Sequence, residues 1–139
     1  MKLNDLFTRR VYRTGPADSL ALVASNMQEH KVGAMVVVED GHPVGIVTDR
    51  DLAIALGAKG TSPNAPVRDV MTPHVLAIPE DTSIDTATRF MKENRVRRLP
   101  IVDRNDRVVG IVTLDDLLWH LGREIRNLSD AIEPEMEVR

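Results

Sequence analysis

Gly45-Ile46-Val47-Thr48-Asp49-Arg50-Asp51-Leu52 occurs again as Gly110-Ile111-Val112-Thr113-Leu114-Asp115-Asp116-Leu117. Six of the eight positions are identical, and the two copies stand sixty-five residues apart. Upstream the correspondence continues at a spacing of sixty-four: Val11 with Val75, Leu20 with Ile84, Met27 with Met91, Val32 with Val96. The one-residue difference falls between Glu39-Asp40-Gly41-His42 and Asp103-Arg104-Asn105-Asp106-Arg107. Both are polar turn segments between apolar runs, where a hairpin absorbs an insertion. Even the lead-ins align, Leu3-Asn4-Asp5-Leu6-Phe7-Thr8 against Val67-Arg68-Asp69-Val70-Met71-Thr72. The chain therefore reads as a tandem repeat with copies over residues 3–57 and 67–121. Gly60-Thr61-Ser62-Pro63-Asn64 links them, and residues 122–139 form a C-terminal helical extension and tail.

Each copy reads as β-α-β-β-α. Leu20, Val23, Ala24 and Met27 fall at i, i+3, i+4 and i+7, one face of a helix, and Ile84, Ala87 and Met91 repeat it. Thr82-Ser83-Ile84-Asp85 has the form of a capping box at the start of the second of these helices. Met35-Val36-Val37-Val38, Asp40-Gly41 and Val44-Gly45-Ile46-Val47 spell a hairpin with a tight turn. Leu99-Pro100-Ile101-Val102 and Val108-Val109-Gly110-Ile111-Val112 are its counterpart. These strands are apolar without alternation, which predicts burial on both faces, under helices on one side and against the sister copy on the other. One copy alone has too little core to stand. The fold class is thus α+β, sandwich-like, with two β-α-β-β-α units packed about a pseudo-twofold axis. The last helix, from about Leu114 toward Ala131, carries Leu117, Leu118, Leu121, Ile125 and Leu128 at helical spacing. Its start belongs to the core, and its later part is free to face a second copy of the chain.

Composition narrows the function. Aromatic residues are 3% of the 139, so stacking platforms for single-stranded nucleic acid are nearly missing. The formal net charge of −3 is the opposite of the basic excess that duplex binding needs, so no nucleic-acid partner is expected. Arg9-Arg10 and Arg95/Arg97-Arg98 are short basic clusters suited to small anions. The chain has no cysteine, which excludes thiol nucleophiles, disulfides and cysteine-ligated zinc. Its histidines, at positions 30, 42, 74 and 120, show no paired ligand spacing, so no metal site is expected. No apolar leader follows Met1 and no run reaches membrane-span length, so the expected location is cytoplasmic, without a membrane partner. Ser19, Ser25 and Ser83 lack a nucleophile-elbow context, and no G-x-x-x-x-G-K-[ST] loop is present. Neither catalytic residues nor a cofactor are expected.

The chemistry-bearing motif is Thr-x-x-Asp: Thr48 with Asp51, and Thr113 with Asp116. A Thr ending a strand with an acid three residues later is a capping box, and on spacing alone capping accounts for it. Capping does not preclude binding. A helix N-terminus presents free N–H groups and partial positive charge to a phosphate, and a fixed carboxylate there can accept from both hydroxyls of a ribose.

Val32-Gly33-Ala34-Met35-Val36-Val37-Val38-Glu39-Asp40-Gly41 with Gly45–Leu52, and Val96-Arg97-Arg98-Leu99-Pro100-Ile101-Val102-Asp103 with Gly110–Leu117, resemble the cystathionine-β-synthase-type (CBS) repeats, two of which make a Bateman module. The resemblance covers nearly the whole chain and is greatest to short stand-alone prokaryotic members. It implies a disc with two clefts between the repeats, which hold adenosine-containing ligands such as AMP, ADP, ATP or S-adenosylmethionine, and a homodimer. It assigns Asp51 and Asp116 to ribose hydroxyls, and Thr48 and Thr113 to the phosphate or ribose. It sets Thr113 and Asp116 facing Val32, Gly33 and Ala34, and Thr48 and Asp51 facing Val96, Arg97 and Arg98. Gly33 and Ala34 would leave room for a flat base, and Val32 or Val96 would pack on its face, although for those two valines taken alone ordinary strand packing is the better account. Tyr12 or Leu76, on the edge strands, would help backbone groups to read the base. Arg50 and Arg98 are the cations for phosphate, since a guanidinium fork matches phosphate oxygens; a solvated charge or surface ion pair is the plainer alternative. Repeat 1 has Arg50 where repeat 2 has Asp115, so the Asp51 cleft is expected to prefer the more charged ligand. Val36 stands where repeat 2 has Pro100, which predicts a less rigid strand end. The competing reading is a protein-interaction scaffold, with an unidentified protein partner and grooves filled by side chains such as Met35 and Val36.

Overall fold

The computed structural model describes residues 2–3 and 11–137, with side chains described as far as residue 132. Residues 4–8 of the lead-in match, the Arg9-Arg10 pair and residues 138–139 lie outside the described residues. The first repeat supplies β1 (Arg13–Thr14), α1 (Leu20–His30), β2 (Ala34–Glu39), β3 (His42–Thr48) and α2 (Asp49–Ala53). One π-helical turn, Ile54–Ala58, continues α2. After a 3-10 turn at Val67–Asp69 come β4 (Thr72–Pro73), β5 (Ile78–Pro79), α3 (Ile84–Asn94), β6 (Arg98–Val102), β7 (Val108–Thr113) and α4 (Leu114–Glu137). The mixed α+β reading is as expected, and both repeats have the β-α-β-β-α order, with β4 added ahead of it in the second. Helix α4 runs unbroken through the expected boundary at residues 121 and 122.

The two middle helices are built alike. Ser19 caps α1 by accepting from the Leu22 N–H at 3.1 Å, and Leu20, Val23 and Met27 are buried on one face. Ser83 caps α3 by accepting from the Thr86 N–H at 3.1 Å, with Ala87 and Met91 buried. Both helices end on a non-glycine residue in the left-handed region, Lys31 (φ 55°) and Arg95 (φ 53°). The capping box expected at Thr82 is displaced by one residue. Ser83 is the cap, Asp85 pairs with Arg89 at 3.0 Å instead of reaching back, and the Thr82 carbonyl accepts from the Leu3 N–H at 2.9 Å.

The first sheet runs β1-β2-β3-β4 and the second β5-β6-β7. The β2–β3 turn puts both Asp40 (φ 52°) and Gly41 (φ 84°) at positive φ, the two-residue turn whose twist suits a hairpin. The extra residue of the second hairpin is absorbed where the Asp103 carboxylate accepts from the N–H groups of Asn105 and Arg107, at 2.8 and 3.0 Å. These two turns also clamp the repeats together. The Val108 N–H donates to the Gly41 carbonyl at 3.0 Å, Arg13 donates to the Val108 carbonyl at 2.9 Å, and His42 Nδ1 lies 2.8 Å from the Asp106 carbonyl.

Each repeat has its own core, Leu20, Val23, Met35, Val37 and Val47 in the first and Ala87, Met91, Leu99, Ile101 and Val112 in the second. Between them Val36, Val102 and Val108 form a third, inter-repeat cluster. Met35 thus belongs to repeat 1 and Val36 to the seam, as strands buried on both faces require. The lead-ins are exchanged. Leu3, at 1% exposure, is buried in the core of repeat 2, and Val67, at 0%, in the core of repeat 1. The exchange repeats at the spacing of the sequence repeat: the Leu3 N–H donates to Thr82, and the Val67 N–H donates to Asp18 at 2.8 Å.

Val36 does not loosen its strand, contrary to the expectation from the missing proline. Its N–H donates to the Tyr12 carbonyl at 3.1 Å and ties β2 to the chain leading into β1. Pro100, at the equivalent register, has no N–H to offer.

Candidate functional site

Thr48 ends β3 and Thr113 ends β7, and each is followed at once by a helix. At the first junction the Asp51 N–H donates to Thr48 Oγ1 at 3.2 Å, and the Thr48 N–H donates to Asp51 Oδ2 at 2.9 Å. At the second the same two bonds join Asp116 to Thr113 at 3.1 Å and Thr113 to Asp116 at 3.0 Å. The capping boxes are real, and both acids are half-buried rather than turned into open solvent. Charge-assisted bonds from backbone N–H groups hold each carboxylate in one place.

The strand entries sit beside these junctions within each repeat. The Asp49 N–H donates to the Gly33 carbonyl at 2.9 Å, and the Leu114 N–H donates to the Arg97 carbonyl at 2.8 Å. Ala34 lies opposite Thr48 in the β2–β3 register, and Arg98 opposite Thr113 in β6–β7. Val32 and Val96 are half-buried against the core of their own repeat. Arg50, Arg97 and Arg98 are exposed. Tyr12 stacks on His30, ring centroids 4.2 Å apart, while Leu76 is exposed.

Gly33 has a use that the sequence did not reveal. A Cβ there would stand 3.1 Å from Asp49 Oδ2, so the absent side chain makes room for that carboxylate. Asp49 therefore adds negative charge next to Arg50, and repeat 2 has Leu114 at that place.

Beside Asp51 lies a cavity of about 370 Å³, lined by Asp51, Ile54, Ala55, Lys59, Thr61, Asp69 and Val70. Its volume is within the range of small-molecule sites. It opens between helix α2 with its π-helical turn and the second lead-in, which β4 holds alongside β3 through Gly45–Pro73 and Ile46–Thr72. Lys59, Thr61, Asp69 and Val70 escaped the sequence reading, since two fall at the linker and two in a lead-in counted with the other repeat. The alignment of the lead-ins was the available signal; the exchange that brings Val67–Val70 to Asp51 was not in it.

The CBS domain family model matches residues 3–58 and 67–123. The chain belongs to the CBS domain family. It is 39% identical over 115 residues to the CBS domain-containing protein YhcV of Bacillus subtilis, spanning 83% of this chain and 81% of that protein. It is 36% identical over 120 residues to protein MK0525 of Methanopyrus kandleri, spanning 85% of this chain and 61% of that longer protein. In three dimensions it resembles the CBS domain pair of protein MJ0100 in complex with 5′-methylthioadenosine and S-adenosyl-L-methionine, with a TM-score of 0.78, 26% identity and coverage of 89% and 98%. It also resembles Hypoxic Response Protein I with two coordinated zinc ions, with a TM-score of 0.74, 31% identity and coverage of 86% and 98%. Among the described residues of this CBS pair, no three His, Cys, Asp or Glu side chains cluster as metal ligands. No helix among them is long and apolar enough to cross a membrane.

Proposed function

We propose that this CBS pair is a regulatory module that senses an adenosine-containing molecule, AMP, ADP, ATP or S-adenosylmethionine, at its Thr-x-x-Asp junctions. The observation that carries the reading is the Asp51 junction: a carboxylate immobilised by its own helix cap on the wall of a cavity large enough for a nucleoside. One carboxylate oxygen serves the cap and the other is left for the ribose hydroxyls. Lys59, on the same cavity wall, supplies a cation for a phosphate or carboxylate of the ligand. Pro100 has no N–H to give the Leu76 carbonyl, whereas the Val36 N–H occupies one acceptor site of the Tyr12 carbonyl, so the reading assigns the adenine amino group to Leu76. The MJ0100 pair, in complex with two adenosine compounds, supports the ligand class. None of Val96, Arg97 and Arg98 lines that cavity; in this reading they bound the Asp51 cleft outside it, and Val32, Gly33 and Ala34 bound the Asp116 cleft. Arg50 favours the more charged ligand in the first, and Asp49 offsets part of that preference.

Binding acts on the protein through its different affinities for two arrangements of the repeats. Isothermal titration with AMP, ATP and S-adenosylmethionine is the test. The expected result is two unequal sites, with Asp51→Ala and Asp116→Ala each weakening one site by at least about tenfold, as loss of hydrogen bonds to a charged group does. Asp51→Asn keeps an acceptor for the cap and separates folding from binding. Unchanged binding in both alanine variants, or two identical independent sites, would sink the assignment.

A further inference from the structure

Beyond the repeats, helix α4 leaves the body of the protein. Leu117 is buried at 1%, yet every residue from Leu121 to Ile132 is exposed. Along this stretch Leu118, Leu121, Ile125, Leu128 and Ile132 are each between 48% and 66% exposed, large apolar side chains with no partner from their own chain to cover them. Their spacing is 3, 4, 3, 4, the a and d positions of a coiled-coil heptad and not the broader stripe of a helix lying on a core. Leu118, Ile125 and Ile132 take position a, and Leu121 and Leu128 position d.

We propose that this helix pairs with α4 of a second copy of the chain as a parallel, in-register, two-stranded coiled coil over residues 118–132. Isoleucine at a with leucine at d is the packing that favours two parallel strands. The flanking e and g positions are Asp115, Leu117, Gly122, Glu124, Ser129 and Ala131. In a parallel pair Glu124 meets the partner's Ser129, so no like charges face each other, and the small residues Gly122, Ser129 and Ala131 permit close approach. An antiparallel pair would set a against d and give up the separate isoleucine and leucine layers that a parallel pair keeps. The area is sufficient: the five seam residues expose on the order of 600 Å² per chain, so pairing removes roughly 1,200 Å², where specific interfaces begin. The acidic balance of residues 114–132, with Asp115, Asp116, Glu124 and Asp130 against Arg123 and Arg126, disfavours an anionic membrane surface as the occupant.

This pairing does not depend on the ligand reading, and the absence of cysteine makes it directly testable in the full chain. Single variants Leu121→Cys and Ile132→Cys, oxidised separately, are each expected to form a disulfide-linked dimer in high yield. Light scattering of the wild-type chain is expected to give twice 15.5 kDa, and Ile125→Lys/Leu128→Lys to give the single-chain mass. The repeats should keep their far-ultraviolet circular dichroism, because neither residue packs in them. A monomeric wild type, a Lys variant that remains dimeric, or cross-links that form only when the two Cys variants are mixed would each overturn the proposal, the last by showing antiparallel strands. A chain that stays monomeric and instead binds vesicles or another protein through this helix would overturn it as well.

Discussion

The two repeats differ least where they fold and most where they could bind. Their helices α1 and α3 share the serine cap, the buried methionine and the left-handed end at a spacing of sixty-four. Their Thr-x-x-Asp junctions share both capping bonds to within 0.1 Å. Around those junctions the chemistry diverges. Repeat 1 carries Asp49 and Arg50 where repeat 2 carries Leu114 and Asp115, and the Val36 N–H donates to the Tyr12 carbonyl where Pro100 has no N–H to offer. The frame is held by capping and burial, which repeat easily; recognition depends on exposed neighbours that are free to change once the frame is safe.

The sharpest way to break the equivalence is through the exchanged lead-ins. Leu3→Ala is expected to cost about 3 kcal/mol, the usual range for a buried leucine truncated in a packed core. The loss should be read in repeat 2: hydrogen exchange should accelerate in β6 and β7 before β2 and β3. Val67→Ala is expected to have the mirror effect on repeat 1, at about 2 kcal/mol, since fewer atoms are removed. If each substitution instead loosened its own sequence repeat, the exchange would be disproved.

A smaller change brings the repeats closer together. Val36→Pro should lose the hydrogen bond to Tyr12 at about 1 kcal/mol, because a proline is already accommodated at this register in β6. It should also free the Tyr12 carbonyl and strengthen adenosine binding in the cleft beside it. A melting curve and a titration on the same variant measure both effects, and a variant with lower stability but unaltered binding would remove backbone reading of the base from the account.

The smallest expected effect tests what the repeats share. Lys31→Gly and Arg95→Gly should each stabilise the protein by about 0.5 kcal/mol, since relief of the left-handed strain exceeds the entropy that glycine adds to the unfolded chain. Equal gains in thermal unfolding would confirm that the two helix ends are equivalent. Opposite signs would show that one side chain has work beyond the cap.

From the sequence alone came the tandem repeat, the β-α-β-β-α order, the buried helix faces and both Thr-x-x-Asp caps, because each rests on contacts between residues a few positions apart. The stripe on the last helix was legible for the same reason. Tertiary structure decided the rest. It alone seated Leu3 in repeat 2 and Val67 in repeat 1, brought Lys59, Asp69 and Val70 to the cavity beside Asp51, and set the Asp49 carboxylate over Gly33. Such contacts join residues from eight to about eighty positions apart, and local periodicity has no information about which of two homologous cores a lead-in will enter.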